Sequence, residues 1–332
     1  MPMRSSFVFG LAIASTVALG ACGKDNAGTD VDASTTSDGS GGGGTPAFEI
    51  VSKDVTLMPG EQVTYCYYFH TSNTTDVLIN KWVSDMSTGS HHAILYMTPG
   101  ATQPADGTID TSCGGLNGGR APIWTYATQT PHQEENLPAD DGTGKPLAQK
   151  IAPNSQGYIQ LHYLNASDAA ITAHIDLKAY ALPTGTAYTQ TDAYVTYNND
   201  ISIPPNATNL KVTASCPLPA GVKFWAMSTH SHKQSVTTDV MDGTSSIFHG
   251  TDWEHPGSKN WMTMPFYTFA QPKLTWDCVY DNTTPPPAGN NDKTVVAGQS
   301  AVTNEMCMAT GYFFPSTGPK FQIVYNGSCI GL

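Results

Sequence analysis

The sequence is poor in charged residues and has no basic stripe. Lysine, arginine, aspartate and glutamate together make up 13% of the 332 residues, and the formal net charge is −12. This composition argues against nucleic acid as a partner, and the acidity is typical of ordinary solubility outside the cytoplasm. Convincing helical periodicity and repeats of solenoid length are also absent, which argues against a helical domain or a repeat array.

No apolar run is long enough for a membrane-spanning helix. The longest one lies at the N-terminus, after Arg4, and ends in small residues before Cys22, which predicts a secretory signal over residues 1–21. The letters "LGAC" resemble a bacterial lipobox, so we expect Cys22 to carry a lipid. That lipid would be the only membrane contact of an exported protein facing the periplasm or the cell exterior. A plain secretory signal, giving a secreted protein, is the alternative.

Two domains are expected after a tether. Residues 22–46 are polar and rich in Gly, Ser and Thr, which predicts a flexible segment. The remaining chain is longer than one typical core. Its short alternating runs, such as "EQVTYCYYF", "YIQLHYL" and "FQIVYNG", are separated by Gly, Pro, Asn and Asp. They predict an all-β fold of two antiparallel sandwiches in tandem, 47–185 and 186–332, with the boundary in "YALPTGTAYTQTDAY".

The chain has no C-x-x-C pair, which argues against a thiolate metal site. Beyond Cys22, an even number of cysteines in an exported chain predicts three disulfides. Two cysteines fall in the first half and four in the second, so closed pairing within each half is possible, but several pairings remain open in the second half. The six are Cys66, Cys113, Cys216, Cys278, Cys307 and Cys329.

Histidines provide two candidate metal-ligand sets. In "SHHAILYM", neighbouring side chains of a regular strand would point to opposite faces. We expect the strand to begin at Ala93, so that irregular backbone before it turns His91 and His92 toward one centre, where His162 of "YIQLHYLN" arrives from another strand. Taken alone, a histidine in such a strand is more often a half-buried structural residue.

The second set combines an H-x-H with a thioether. His230 and His232 in "STHSHK" would lie on one face of a strand, and Met306 in "NEMCMATGYFFP" is the candidate third ligand, with Met308 as the alternative. Imidazole suits copper in both oxidation states, and methionine sulfur favours Cu(I). Taken singly, an H-x-H is more often a surface pair and a methionine more often part of a core.

Together, these motifs resemble the copper type II, ascorbate-dependent monooxygenases, which include peptidylglycine α-hydroxylating monooxygenase and dopamine β-monooxygenase. The ordered series is "HHAILYM", "IQLHYLN", "STHSHK", "WDCVYDN" and "NEMCMATGYFFP", in the family's order and at similar spacing. The likeness covers residues 47 to 332. It implies two jelly-roll-like sandwiches, each carrying one copper near the facing surfaces.

The resemblance assigns roles to particular residues. His91, His92 and His162 would hold an electron-transfer copper. His230, His232 and Met306 would hold the catalytic copper, where oxygen binds and the C–H bond is attacked. Gln160 would have a supporting role near the first copper. The implied disulfides are Cys66–Cys113, Cys216–Cys329 and Cys278–Cys307.

The implied reaction is hydroxylation of an sp3 C–H bond in a small organic substrate, with O2 and two electrons delivered singly by ascorbate or a similar reductant. The peptide-hydroxylating branch contacts its substrate's carboxylate with an arginine, an asparagine and a tyrosine, where this sequence has Ser228, Met308 and Thr310. A glycine-extended peptide is therefore not expected. Met308, Tyr312 and Phe313 suggest an apolar pocket, and a monomer is expected.

Two other classes remain open. A non-catalytic lipoprotein that senses, stores or delivers copper would also need His and Met ligands, and a metal-free double sandwich could serve adhesion. Oxygen consumption with ascorbate separates the enzyme from the carrier. For the remaining polar residues a structural or solvated role is favoured: His70, His132, His174, His249 and His255, Glu134 and Glu135 as a charged loop face, and Glu305 as a surface residue rather than a supporting group.

Overall fold

The protein is all-β, as its alternating sequence predicts. The structure is a computed structural model that describes residues 44–113, 122–286 and 288–331, and these residues contain no helix. The strands of the first half are β1 (Phe48–Val51), β2 (Val55–Leu57), β3 (Gln62–His70), β4 (Val77–Met86), β5 (Ser90–Met97), β6 (Ile109–Asp110), β7 (Ile123–Thr128), β8 (His132–Asn136), β9 (Leu147–Ile151), β10 (Gln156–Leu164), β11 (Ile171–Ala173), β12 (Ile175–Ala181) and β13 (Thr189–Gln190).

The second half continues with short strands of the same kind. They are β14 (Asp192–Asn198), β15 (Ser202–Ile203), β16 (Leu210–Pro217), β17 (Lys223–Ser231), β18 (Ser235–Asp242), β19 (Ser245–Gly250), β20 (Lys259–Asn260), β21 (Lys273–Tyr280), β22 (Val295–Val296), β23 (Cys307–Phe314), β24 (Lys320–Tyr325) and β25 (Ser328–Gly331).

Strands β1 to β13 form a first sandwich of two sheets, beside which β2 and β11 pair as a separate two-stranded sheet. One sheet has the order β1-β12-β4-β9-β13, with β8 also paired to β4, and the other has the order β6-β3-β10-β5-β7. The core between them takes Trp82 and Leu177 from the first sheet and Tyr65, Leu95 and Ile159 from the second. Alternate side chains of these strands enter that core, as the period of two requires.

Strands β14 to β25 form a second sandwich. Its two larger sheets have the orders β20-β17-β23-β14-β24-β25 and β16-β21-β18-β19, and β15 pairs with β22 as a separate two-stranded sheet. Phe224 and Phe313 from one sheet meet Val240, Leu274 and Trp276 from the other. Pairing is antiparallel except for two parallel pairs, β9 with β13 and β14 with β24.

The two groups of sheets pack directly on each other. Trp225, Phe266 and Phe314 of the second group belong to the buried cluster of the first. Strand pairing changes from the first group to the second between Gln190 and Asp192, inside the stretch where the boundary is expected. The division into 47–185 and 186–332 stays a prediction.

Three disulfides fasten these sheets. They are Cys66–Cys113, Cys216–Cys329 and Cys278–Cys307, the pairs that the resemblance implies. The last two each join one sheet of the second group to the other. Each disulfide of this kind typically contributes about 2–4 kcal/mol to the stability of a fold.

The predicted N-terminal features lie outside the described residues. These are the signal over 1–21, the lipidated Cys22 and nearly all of the tether over 22–46. In the part of the chain that the structure describes, no helix has the length and hydropathy needed to cross a membrane.

Candidate metal site

A β-bulge explains why two adjacent histidines face one centre. On β10, His162 pairs with His92 and the next residue, Tyr163, pairs with Ser90, so His91 is an extra residue in β5. An extra residue bends a strand and re-aims its side chains. The expectation that the strand begins only at Ala93 is wrong, because β5 begins at Ser90 and includes both histidines.

The turn before the bulge requires a glycine. Gly89 precedes β5 and has φ +86°, in the left-handed region that favours glycine, and a Cβ there would overlap the Ile171 side chain. A residue with a side chain at position 89 would therefore be strained and would collide with Ile171.

His162 completes a three-histidine group. The ring centroids of His91 and His92 are 4.9 Å apart, and each lies 5.0 or 5.1 Å from that of His162. One ligand nitrogen from each ring lies within 4.8 Å of the others. Ligands bound to one metal ion at roughly 2 Å lie about 3–4 Å apart. Side-chain movements of about 1 Å would therefore close the group around an ion.

The second predicted set adjoins the first. His230 lies near the end of β17 and His232 directly follows it, with ring centroids 5.3 Å apart. The His230 ring is also 5.4 Å from His92 and 6.5 Å from His91. Two separate pockets are expected from the sequence, and the structure differs: the two sets share one cluster of five histidines.

All five rings are held in the neutral form. Burial lowers the pKa of His91, His162 and His232 to about 4, and it lowers the pKa of His92 and His230 well below the usual value. The neighbouring imidazoles lower these pKa values further, because a second positive charge in the cluster is unfavourable. Neutral imidazole is the form that binds metal.

Hydrogen bonds leave specific nitrogens available. His91 Nε2 and His92 Nδ1 are buried without a hydrogen-bond partner. Gln62 Nε2 lies 2.5 Å from His162 Nε2. With the Gln62 amide turned so that its oxygen accepts from Nε2–H, the ring proton is held on Nε2 and Nδ1 is left for a ligand. His232 Nδ1 lies 3.2 Å from the carbonyl oxygen of Asn304, which leaves His232 Nε2. Buried polar atoms normally have partners, so the two orphaned nitrogens fit a metal site.

Two thioethers lie on the same sheet face as His230 and His232. Met308 on β23 pairs directly with His230, and Cys307 pairs with Ser231, which places Met306 opposite His232. Directly opposed residues of an antiparallel pair point to the same face. Tyr280 Oη donates to the Met306 carbonyl oxygen at 2.8 Å and fixes the backbone there. The register of β17 with β23 therefore does not decide whether Met306 or Met308 would be the metal ligand.

Glu305 is the group that sequence reasoning placed wrongly. It has no exposed surface, so the surface interpretation is wrong. Its carboxylate accepts hydrogen bonds from the backbone amides of His232 (2.9 Å), Gln234 (2.6 Å) and Met306 (3.2 Å). Burial raises the pKa of Glu305 to about 8, although these three bonds favour the ionised form. One side chain thus fixes both segments of the second ligand set.

Two neighbouring cavities meet at this cluster. The histidine cavity, about 230 Å³, is lined by Gln160, His162, His232, Met306 and Met308 among others. The outer cavity, about 560 Å³, is lined by residues of both groups of sheets, including Ser228, Thr310 and Tyr312. His92, Ile94, Trp124 and His230 line both cavities. Phe313, which the sequence suggested for a pocket, is instead part of the second core.

The other histidines and glutamates expected to be structural lie either away from the cluster or on the wall of the outer cavity. Four histidines away from the cluster each have Nδ1 within 4 Å of an aspartate oxygen, as structural residues often do: His70 and Asp106, His132 and Asp85, His174 and Asp54, His249 and Asp239. His255 also lies beside an aspartate, with Nδ1 3.7 Å from Asp252 Oδ2, and it lines the outer cavity. Glu134 and Glu135 lie on strand β8 rather than on a loop, and both belong to the outer cavity wall.

Trp253 contacts the cluster and was not singled out from the sequence. Its ring centroid lies 5.5 Å from that of His91, in an edge arrangement. It comes from the segment between β19 and β20, in the other half of the chain. The only available signal was its place in the Trp- and Pro-rich stretch "SIFHGTDWEHPGSKNW".

Comparison with known proteins identifies no family. No family model matches the chain, and no curated protein does. Among solved structures, the chain is similar to the PBSX exported protein XepA, with 6% identity and a TM-score of 0.22 over 81% of this chain and 88% of that one.

Proposed function

We propose that the protein is a copper-dependent monooxygenase that hydroxylates an sp3 C–H bond of a small organic molecule with O2 and a one-electron reductant such as ascorbate. One observation carries the proposal: five neutral imidazoles and two thioethers converge beside a cavity of substrate size. The motif order shared with the copper type II monooxygenases supports the same conclusion.

The donor set fits copper better than other common metals. Imidazole with thioether is a soft set, whereas Mg²⁺ and Ca²⁺ prefer oxygen ligands. Residues His91, His92 and His162 would hold one ion, and His230, His232 and Met306 the second. When bound, copper would supply one-electron transfer and activation of O2.

The chain's own residues would prepare these sites. Gln62 and Asn304 fix the nitrogens that His162 and His232 present, and Glu305 holds the backbone on both sides of the second set. Such contacts orient ligands and are costly to lose. No solvent gap separates the two sets, because His92 and His230 are in ring contact. Gln160 lines the histidine cavity and would support the first set from there.

The outer cavity favours an enzyme over a copper carrier. It opens onto His92 and His230 and has room for a small organic molecule, at about 560 Å³. A protein that only stores or delivers copper needs no such space beside its ligands. Carrier function would instead predict exchange of Cu(I) with a chelator and no oxygen consumption.

Copper-loaded protein should consume O2 in the presence of ascorbate and a hydroxylatable substrate. His230→Ala should reduce this rate at least 100-fold, as a lost metal ligand does, whereas His249→Ala should leave it unchanged. His249 is a suitable control because its side chain is 53% exposed and pairs with Asp239. Equal rates for His230→Ala and the parent protein would contradict the proposed site.

The proposal places the protein outside the cytoplasm as a monomer. Three disulfides are typical of proteins that fold in an oxidising compartment. The lipobox-like "LGAC" supports a lipid on Cys22 as the membrane anchor. O2, substrate and reductant would then reach the site from the periplasm or the cell exterior.

A further inference from the structure

We infer that an aromatic ladder carries electrons to the histidine cluster, and that Tyr68 at its outer end is the residue oxidised when a strong oxidant forms at the cluster without substrate. The inference rests on the proposed function in one respect, that copper and O2 would be the source of this oxidant. The aromatic ladder consists of Tyr68, Tyr158, Tyr96 and Trp124.

The register of one sheet builds the aromatic ladder. Tyr158 on β10 lies directly opposite Tyr68 on β3 and Tyr96 on β5, and Tyr96 lies opposite Trp124 on β7. Directly opposed residues point to the same face, so the four rings share one face of the sheet. Successive ring centroids along the ladder are 5.5, 5.0 and 5.7 Å apart. Rings at these distances are in contact, and electrons pass readily between aromatic rings in contact.

The inner end of the ladder reaches the proposed metal ligands. Tyr158, Tyr96 and Trp124 line the histidine cavity together with His92 and His162. Trp124 also lines the outer cavity, again with His92. His162 comes four residues after Tyr158 on β10, and an even spacing keeps both side chains on one face of a strand. An oxidant formed at the cluster would therefore lie beside the ladder.

The outer end of the ladder has a group that can take a proton. A neutral tyrosyl radical forms only when the phenol gives up its proton together with an electron. The Tyr68 hydroxyl donates to the carboxylate of Asp110, and hydrogen bonds from Ser112 and from Tyr68 lower the pKa of this aspartate. Asp110 is half-buried on the edge strand β6, so a proton placed there can exchange with solvent.

The middle of the ladder offers no such resting place. Burial raises the pKa of Tyr96 and Tyr158, so both phenols keep their protons. Either ring would then pass the oxidation on to its neighbour. The oxidation therefore settles on Tyr68, where the proton has an acceptor.

One electron and one proton leave Tyr68 in this reaction. The electron passes through the rest of the ladder and reduces the oxidant at the cluster, and the phenolic proton moves to Asp110. Ascorbate later returns one electron to Tyr68, and Asp110 returns the proton. Cu(II) alone is too weak an oxidant for a tyrosine, so the ladder does not serve ordinary reduction of the metal. It would protect the histidine ligands from an oxidant that finds no substrate.

Hydrogen peroxide tests the ladder without requiring hydroxylase activity. The full chain is loaded with half an equivalent of copper, reduced, mixed with hydrogen peroxide and frozen for EPR spectroscopy. Peroxide takes one electron from Cu(I) and one from the ladder, and with two protons it becomes two water molecules. We expect a tyrosyl radical whose yield Tyr68→Phe lowers at least tenfold. Oxidation of His92 and His162, measured by peptide mass spectrometry, should rise at least threefold in this variant.

Tyr67→Phe is the matched control. Tyr67 neighbours Tyr68 on β3 but points to the opposite face and packs against the core of the first sandwich, so this variant should match the parent protein in both measurements. Circular dichroism should show both variants folded, because each loses only a hydroxyl group. No radical in the parent protein, an unchanged yield in Tyr68→Phe, or a radical removed instead by Tyr197→Phe or Tyr312→Phe would overturn the inference.

Oxygen consumption and copper content separate this inference from the proposed function. A radical that depends on Tyr68, without hydroxylation by O2 and ascorbate, would refute the proposed function alone. Hydroxylation without such a radical would overturn the inference alone. Protein that binds no copper would overturn both.

Discussion

Replacing Glu305 by alanine should destabilise the protein and disrupt the second ligand set selectively. Three backbone amides, those of His232, Gln234 and Met306, would lose their acceptor in a place with no solvent exposure. An unsatisfied buried donor costs about 1–3 kcal/mol, so the three together cost about 6 kcal/mol.

An opposing contribution comes from the carboxylate itself. Burial raises the Glu305 pKa from 4.5 to about 8, so keeping the group in place at pH 7 costs about 3 kcal/mol, which alanine would recover. The difference is a net loss of about 3 kcal/mol in the free energy of unfolding. The free energy of unfolding of folded proteins is typically about 5–15 kcal/mol, so this loss is a large part of it but leaves the variant folded.

The assay is urea denaturation at pH 7, with copper content measured on the folded variant. Glu134→Ala is the control, because its single ion pair with Lys81 is half exposed and should contribute less than about 1 kcal/mol. We expect Glu305→Ala to keep copper at the three-histidine set and lose it at the second. A destabilisation under about 1 kcal/mol, or full copper at both sets, would refute the reasoning.

Three further predictions concern the thioether ligand, the cavity wall and the N-terminus. Met306→Ala should remove the sulfur signal from X-ray absorption spectra of reduced copper protein while Met308→Ala retains it; the reverse result would move the ligand to Met308. Glu135→Gln should raise the free energy of unfolding by about 2 kcal/mol at pH 8 and by little at pH 5. The folded-state pKa of Glu135, about 7, lies above the ordinary 4.5, so ionisation costs the parent protein stability as pH rises through this range. Water in the cavity reduces that cost below the full value, and equal pH profiles for variant and parent would contradict it. Cys22→Ser should release the protein from the membrane fraction, and unchanged membrane association would count against lipidation.

Local sequence patterns were sufficient to predict the fold class. Alternation with a period of two predicts strands because one face of each strand is buried, and this holds for β12, where Ile175, Leu177 and Ala179 are buried and the residues between them less so. The run "YIQLHYL" also forms a strand, the last seven residues of β10, although β10 is buried on both faces. The H-x-H at the end of β17, with His230 inside the strand and His232 directly after it, needs only the strand period to bring its two rings together. These features depend on residues near each other in the chain.

The features that sequence reasoning missed depend on residues far apart. The bulge at His91 exists only through the pairing of β5 with β10, in which His92 lies opposite His162 and Ser90 opposite Tyr163, so no local pattern marks it. Glu305 is buried because amides more than 70 positions earlier bond to it. The joining of the two histidine sets at His92 and His230 depends on how the two groups of sheets pack.

The most direct test is copper analysis with X-ray absorption spectroscopy on the reduced protein. The account predicts two copper ions per chain, both bound by imidazole nitrogen, with a sulfur ligand on one of them alone. Protein that retains no stoichiometric copper after loading and dialysis, or copper without imidazole ligands, would contradict it.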